Sequence, residues 1–356
     1  MDKYKKLKSF WRGKKVLITG HTGFKGSWMC VFLNMLEAKV FGYALKPDKR
    51  SMFNKVRVRK FLKKNVLKDI RSETDLKKII NTTKPEIIFH LASQAIVSES
   101  FKDPKNTFET NIMGAVNLLE CLKKNKSVKS VVMITTDKVY KINKKKSYKE
   151  DDELGGIDPY SASKASKENI VNSYSKSIFS KTHLFNRIST ARSGNVIGGG
   201  DYSKDRLVPD IIKSIKMNST LKIRNPNYIR PWQHVIEPIF GYLLLAQELY
   251  CCKKEFKNNS WNFGPNNKNF LKVKDLVNIT SKLMKKKIKI NLVNSKYVET
   301  KILKLNNKKS KKFLTWSPKW SVRTAIEKTL EFEMANVSSN KAKTICEKQI
   351  LNYLTN

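Results

Sequence analysis

Short apolar runs and longer amphipathic stretches alternate through the first half of the chain. Residues 16–19, 40–45, 87–91 and 131–135 are rich in β-branched side chains and end at Gly, Pro or small polar residues. Unbroken apolarity of that length predicts strands covered on both faces, as in a parallel sheet. Between them, residues 27–36, 74–81, 107–123 and 161–179 repeat their apolar positions at helical spacing. The alternation predicts βαβ units, hence an α/β fold built on a doubly wound parallel sheet. After residue 188 the pattern changes to Gly-rich loops and Pro-containing turns, and helical spacing returns at 236–250 and 273–283. Residues 1–188 with a return segment 236–263 are therefore expected to form the first domain. Residues 189–235 and 264–356 form a smaller α/β second domain.

Composition narrows the class. A length of 356 residues suits about two domains. Hydrophobic content of 40% supports a sizeable core and excludes wholesale disorder. No apolar run approaches the ~20 residues of a membrane span. The basic first fifteen residues lead into a strand pattern and not an apolar leader, so no signal peptide is expected. Five cysteines (30, 121, 251, 252 and 346) form no C-x-x-C pair, which suits reduced thiols in the cytoplasm.

The net charge of +42 raises the question of nucleic acid or an anionic surface. Its basic runs, at 3–8, 57–64, 141–149, 285–289 and 308–312, are scattered and lack interleaved aromatics. A single-strand-binding groove needs such aromatics. Heavy joint use of Lys, Asn and Ile matches AT-rich coding, so no specific nucleic-acid partner and no membrane partner are expected.

Two motifs carry chemistry. The run Gly20-His21-Thr22-Gly23-Phe24-Lys25-Gly26 follows the first strand and opens a helix. Glycines there allow a tight turn and close approach of a pyrophosphate to free N–H groups at a helix start. Lys25 is either a further phosphate contact or a solvated side chain, and His21 sits within the turn and is expected beside the cofactor. The acid that grips a ribose 2′-hydroxyl is missing where it is due: Leu45-Lys46-Pro47 fills that zone, with Asp48 beyond. The turn alone therefore leaves NAD and NADP undecided.

The second motif begins at Thr135-Thr136-Asp137-Lys138 and continues at Tyr160-Ser161-Ala162-Ser163-Lys164. A spacing of i,i+4 sets Tyr160 and Lys164 on one helix face, where the ammonium lowers the phenol pKa and holds a nicotinamide ribose. Such a phenolate accepts a proton from a sugar hydroxyl while hydride leaves the same carbon. Asp137 suits a proton donor to a departing hydroxyl. Lys138 is either the base for the adjacent carbon, which needs a depressed pKa, or one half of a loop ion pair. No His, Cys, Asp or Glu spacing suggests a metal.

With these runs in view, the chain resembles the extended short-chain dehydrogenases/reductases, and within them the CDP-glucose 4,6-dehydratases. The resemblance spans nearly the whole length. It continues through Asp158-Pro159-Tyr160-Ser161, Ala191-Arg192-Ser193-Gly194-Asn195-Val196-Ile197-Gly198-Gly199-Gly200-Asp201, Arg206-Leu207-Val208-Pro209-Asp210, Ile229-Arg230-Pro231-Trp232-Gln233-His234-Val235 and Trp261-Asn262-Phe263-Gly264-Pro265. Related dTDP-glucose dehydratases carry Thr-Asp-Glu where this chain has Thr-Asp-Lys. The family's closing leucine–aspartate and Leu-Gly-Trp stretches read Leu305-Asn306 and Leu314-Thr315-Trp316.

The resemblance implies a Rossmann domain of the extended type binding NAD. Asp69 and Ile70 would lie near adenine, and Leu91, Ala92 and Ser93 along the cofactor. It implies CDP-glucose as substrate, loss of water to a 4-keto-6-deoxy sugar, and a place in deoxy-sugar supply for surface polysaccharide such as lipopolysaccharide O-antigen. The alternative is another sugar-nucleotide dehydratase or an epimerase. Asn195 suits hydrogen bonding to a diphosphate, and Arg206 and Arg230 are either phosphate forks or surface charges. Trp232 and His234 either wall the pocket or pack. A homodimer through helices 107–123 and 161–179 is implied as well.

Overall fold

The computed structural model describes residues 2–143, 147–252, 256, 259–294, 300–335 and 338–355. The middle of the basic run 141–149 and part of the return segment 236–263 lie outside them. The central sheet is formed by β1 (Lys15–Thr19), β2 (Lys39–Ala44), β3 (Lys64–Leu67), β4 (Ile87–His90), β5 (Ser130–Ile134) and β6 (Ile188–Ser193). Four short strands follow: β7 (Val196–Ile197), β8 (Leu221–Ile223), β9 (Ile229–Pro231) and β10 (Gln233–His234). A seventh sheet strand, β11 (Ser260–Phe263), precedes β12 (Phe270–Lys272) and β13 (Ile290–Leu292). The sheet order is β11-β6-β5-β4-β1-β2-β3, parallel throughout. The expected doubly wound α/β fold is present. Its order reverses direction between β1 and β4, and such a switch point opens a crevice at the carboxyl ends of the strands.

Strand periodicity sorts the core into two layers. Val16 and Ile18, Ile87 and Phe89, and Val132 and Ile134 face one side. Leu17, Ile88, Val131 and Met133 face the other. The first side is covered by helices Phe24–Met35 and Ile236–Cys251, with Asp2–Trp11 and Ser339–Thr355 outside them. The second is covered by Glu73–Thr83, Gly114–Leu122 and Pro159–Lys176. A separate core joins Ile197, Ile211, Leu221, Trp232, Leu276 and Ile326. The expected boundary at residue 188 falls on the first residue of β6, and the chain's last helix packs on the first layer through Cys346, Ile350 and Tyr353.

Elements absent from the sequence pattern have identifiable causes. β3 is a partly exposed edge strand inside a basic run, so it lacks an apolar signature. β6 and β11 carry Ser, Thr, Arg and Asn at positions that face a buried polar network. The N-terminal helix hides Leu7 and Trp11 among lysines, seated on the first core layer. The helix expected over 107–123 begins at Pro104, with Asp103 accepting from the Asn106 N–H at 3.0 Å. It is interrupted by one π-helical turn, Glu109–Met113. No helix among the described residues is long and apolar enough to cross a membrane.

The helix Pro159–Lys176 contains a fully buried ammonium. Lys167 Nζ has no hydrogen-bond partner among the described residues. Burial and then the nearby Lys164 charge hold its pKa well below the ordinary value, against the pull of Glu168. Its unfolded pKa is about 10.4, so the native state binds fewer protons throughout the window below that value. Stability is therefore lost as pH falls from there toward the folded pKa. Replacing Lys167 with Met should raise unfolding free energy at pH 7 by ~1–3 kcal/mol, the range for an unsatisfied buried polar group. It should also flatten the pH dependence of stability between pH 7 and 10, read by urea denaturation.

Candidate active site

The glycine turn lies at the switch point. Gly20 sits at φ +77°, and a Cβ there would lie 2.6 Å from the Ala92 nitrogen of the loop after β4. A Cβ at Gly26 would lie 2.2 Å from the Gly20 carbonyl oxygen. Only glycine permits these approaches, which bring β1, its turn and the following helix together. No side chain caps the helix Phe24–Met35 at Gly23. Its first amides and positive dipole end thus face the crevice, as a dinucleotide pyrophosphate requires.

The flanking residues are held in register. The Leu91 N–H donates to the Thr19 carbonyl at 3.0 Å and the Ala92 N–H to Thr19 Oγ1 at 3.3 Å. Asp69 accepts from Arg71 at 2.7 Å, and Ile70 packs where a side chain at Gly114 would intrude. His21 is buried against Gly42 and bonded to Asn65 Oδ1 at 2.6 Å, so it braces the turn on β2 and β3. Phe24 packs on the first core layer beside Gly198. Lys25 is not a solvated side chain. It turns inward, donating to Ser193 Oγ at 3.0 Å and Tyr242 Oη at 3.3 Å.

At the end of β5, Thr136 Oγ1 accepts from the Lys138 N–H and donates to Asp137 Oδ1 at 3.0 Å. Asp137 is buried, and its Oδ2 has no partner among the described residues. Burial pushes its carboxyl up to about 6, against Lys138, the Thr136 hydrogen bond and Arg230. Gly194 leaves room for this oxygen, since a Cβ there would lie 3.1 Å from it. Lys138 is half-buried in a cleft shared with Asp158 and Arg230.

Tyr160 and Lys164 project from Pro159–Lys176, whose start is fixed by Pro159 and by Asp158 accepting from the Ser161 N–H at 2.9 Å. The geometry corrects one expectation. Burial pushes the Tyr160 phenol up to about 12, opposed by its hydrogen bond with Thr136. The Lys164 ammonium stands 5.9 Å from the centre of the ring, and burial outweighs every cationic neighbour of the phenol. Burial brings Lys164 itself down to about 8, against the Glu168 charge.

Glu168, one turn beyond Lys164, joins this helix to the sheet. Arg192 on β6 donates to its two carboxylate oxygens at 2.9 Å each. Thr135, Thr190 and Ser260 also donate to it. Burial raises the Glu168 carboxyl, yet Arg192 and these hydrogen bonds win and hold it below its ordinary range. Asn111, in the π turn, links the helix to the cofactor-side loop. It accepts from Ser93 Oγ and the Gln94 N–H and donates to Ser163 Oγ, at 2.8–2.9 Å. Sequence reasoning missed Asn111, Glu168, Arg192, Ser193 and Tyr242. The available signal was charge at i+4 from Lys164 and a polar residue inside an apolar helix face.

On the second-domain side, Arg206 bonds Asp201 at 3.2 Å, and its charge is felt at Tyr160 and Lys25. Arg230 is buried and donates to the Thr300 carbonyl at 2.7 Å, with its charge felt at Asp137. A surface-charge role for Arg230 is thereby excluded. Asn195 is half-buried, and its carbonyl accepts the Gln233 N–H. Trp232 packs in the second core and donates to the Leu271 carbonyl at 3.2 Å. His234 is sealed between Trp28 and Trp320, and burial brings its pKa to about 3. Both residues pack.

The GDP-mannose 4,6 dehydratase family profile matches residues 17–329. The chain is 38% identical over 354 residues to a CDP-glucose 4,6-dehydratase of Salmonella typhimurium, covering 98% of each chain. It is 24% identical over 330 residues to a UDP-glucose 4-epimerase of Pisum sativum, covering 87% of this chain and 92% of that one. In fold, it matches the structure of a dTDP-glucose 4,6-dehydratase from Streptomyces venezuelae with NAD bound. That match has TM-score 0.79 at 21% identity, covering 90% of this chain and 97% of that one.

Removing Arg192 should expose the dependence of the site on its buried pair. Arg192→Met leaves Glu168 charged and unpaired, with an expected loss of about 3–5 kcal/mol of unfolding free energy. Denaturant titration followed by far-UV circular dichroism measures it. A loss below ~1 kcal/mol, the level of a surface pair, would refute the assignment.

Proposed function

The chain belongs to the GDP-mannose 4,6-dehydratase family, and we propose that it is an NAD-dependent hydro-lyase acting on CDP-D-glucose. The products are CDP-4-dehydro-6-deoxy-D-glucose and water. The observation that carries this reading is the Asp137 carboxyl, buried, with one oxygen unpartnered and its pKa raised, next to Thr136. An epimerase that only oxidises and reduces C4 has no use for a poised acid there. A dehydratase needs one to protonate a leaving hydroxyl.

Bound NAD would supply reversible hydride transfer, from C4 of the sugar and back at C6. The glycine turn from Gly20 to Gly26 would hold its pyrophosphate, Asp69, Ile70 and Leu91–Ser93 would line the adenosine half, and Lys164 would hold the nicotinamide ribose. Tyr160, in its ionised form, takes the C4 hydroxyl proton. Asp137 gives its proton to the C6 hydroxyl, which leaves as water, while Lys138 takes the C5 proton made acidic by the C4 ketone and gives it back to C5 as hydride arrives at C6. Arg206, Arg230 and Asn195 face the diphosphate side.

The division expected at residue 188 moves to the end of β6: residues 1–193, 236–263 and the last helix Ser339–Thr355 are read as the NAD-binding domain, and the rest as the sugar-nucleotide domain. A cytoplasmic homodimer is proposed, formed through the helices around Gly114–Leu122 and Pro159–Lys176, where Phe101, Phe108 and Met113 are exposed nearby. Light scattering of the purified chain tests it. The product suits supply of deoxy sugars to surface polysaccharide such as O-antigen.

Purified protein incubated with CDP-glucose should yield a product lighter by one water in mass spectrometry. Unchanged mass with inversion at C4 would establish an epimerase instead. Tyr160→Phe and Asp137→Asn should each lower kcat by ~10²–10⁴-fold. Only the Asn variant should still exchange the C5 proton with heavy water, because C4 oxidation survives in it. Asp137 must be protonated to act, and its protonated fraction falls above pH about 6. The alkaline limb that this sets in kcat/KM should be absent from Asp137→Asn.

A further inference from the structure

Outside the reaction chamber, a cleft of about 780 Å³ opens between the segment that follows β2 and the second domain. Lys49, Arg50 and Lys55 line one side of it. Tyr202, Glu333 and Lys216, the last residue of the helix Leu207–Lys216, line the other. No residue of the glycine turn lines it, nor do Thr136, Asp137, Lys138, Tyr160 or Lys164. Small-molecule sites have volumes of about 300–1,000 Å³, so the cleft has room for a whole ligand.

The walls are held in place. Asn54 donates to the carbonyls of Asp48 and Lys49 at 2.9 and 3.3 Å, and its own N–H donates to Ser51 Oγ at 3.3 Å. The backbone on either side of Arg50 is thereby fixed. The Arg50 guanidinium lies 4.6 Å from the centre of the Tyr202 ring. Gly200, at φ +84°, lets the second domain close on this segment, since a Cβ there would lie 2.4 Å from Met52 Sδ.

The charge is one-sided. Four cationic side chains line the cleft against one carboxylate, that of Glu333. Its side chain is only 7% exposed and is turned into the protein, where it accepts from the Gly200 N–H at 2.8 Å and from the Tyr202 phenol. Lys216 donates to the Glu333 carbonyl at 2.7 Å and stands 3.8 Å from the carboxylate, while Lys49 and Arg50 are exposed to the opening. We propose that this cleft is a second ligand site and takes a nucleoside triphosphate, with the phosphates among Lys49, Lys55 and Lys216 and the base on the Arg50 guanidinium. Converging ammoniums hold phosphate as point charges. A guanidinium plane backed by an aromatic ring is a surface on which a base stacks. The inference does not depend on the dehydratase reading.

Isothermal calorimetry tests it with ATP, CTP and inorganic tripolyphosphate, each without metal and in the presence of saturating NAD and CDP to fill the chamber. One site per chain is expected, and both nucleotides should bind about tenfold more tightly than tripolyphosphate, because stacking of a base contributes ~1–3 kcal/mol. Arg50→Ala should remove that preference. The double variant Lys49→Glu/Lys216→Glu should bind all three probes at least about tenfold more weakly, since each reversal sets a like charge against the phosphates. Both lysines are exposed, and an unchanged melting temperature checks that the variant folds.

Failure of all three probes to bind the wild type would overturn the inference. So would binding that NAD and CDP abolish, or affinity that the double reversal leaves unchanged. Tripolyphosphate binding as tightly as the nucleotides would overturn the nucleoside assignment. Failure of the dehydratase reading looks different: NAD and CDP themselves do not bind, and the comparison of wild type with the double variant still decides the cleft.

Discussion

The buried pairing of Glu168 with Arg192 is the constraint on which the site depends. It ties the catalytic helix to the sheet through charge, one turn from Lys164. Two ions withdrawn from water lose several kcal/mol of hydration each, and their attraction offsets that only when the geometry is good and the remaining lone pairs are filled. Here Arg192 presents its planar fork to both oxygens, while Thr135, Thr190 and Ser260 complete the carboxylate. The remaining Arg192 donor reaches Tyr140 and the Glu150 carbonyl. Thr135, at the end of β5 and next to Thr136, bonds the same carboxylate, so the helix that carries Tyr160 is fastened to the strand end that carries Thr136.

The chamber is crowded with cations. Lys25, Lys164, Arg206 and Arg230 all act electrostatically on Asp137, Tyr160 or one another. Burial dominates each shift, and it works against charge of either sign: it raises the acid Asp137 and lowers the amines Lys25 and Lys164. Three groups are thereby moved toward neutral pH, where proton transfer is most readily balanced. These few buried cations are a small part of the chain's large positive charge. Most of it is distributed over the exposed surface, where water and salt screen it.

The glycine turn and the catalytic loop meet the same crevice because a parallel sheet collects all its carboxyl ends on one edge. Gly20 against Ala92, and Gly194 against Pro231 and Asp137, are contacts that leave no space for a Cβ. The π turn adds a third close joint, turning Asn111 inward to bridge Ser93 and Ser163. These joints, and not the loops between them, set the distances inside the site.

Much was legible in the sequence because it depends on local rules. Period and apolarity marked β1, β2, β4 and β5, since a strand covered on both faces has little choice of residue. Gly20, Gly23 and Gly26 and the i,i+4 pair Tyr160 and Lys164 follow from turn and helix geometry alone. Tertiary structure decided the rest. The polar strands β6 and β11 exist because partners distant in sequence satisfy their side chains. Lys25 faces inward, and His234 and Trp232 pack, because of what surrounds them in space. The protonation of Asp137, Tyr160, Lys25 and Lys164 also belongs to the fold. Desolvation is a property of an enclosed volume, and no stretch of chain encloses a volume by itself.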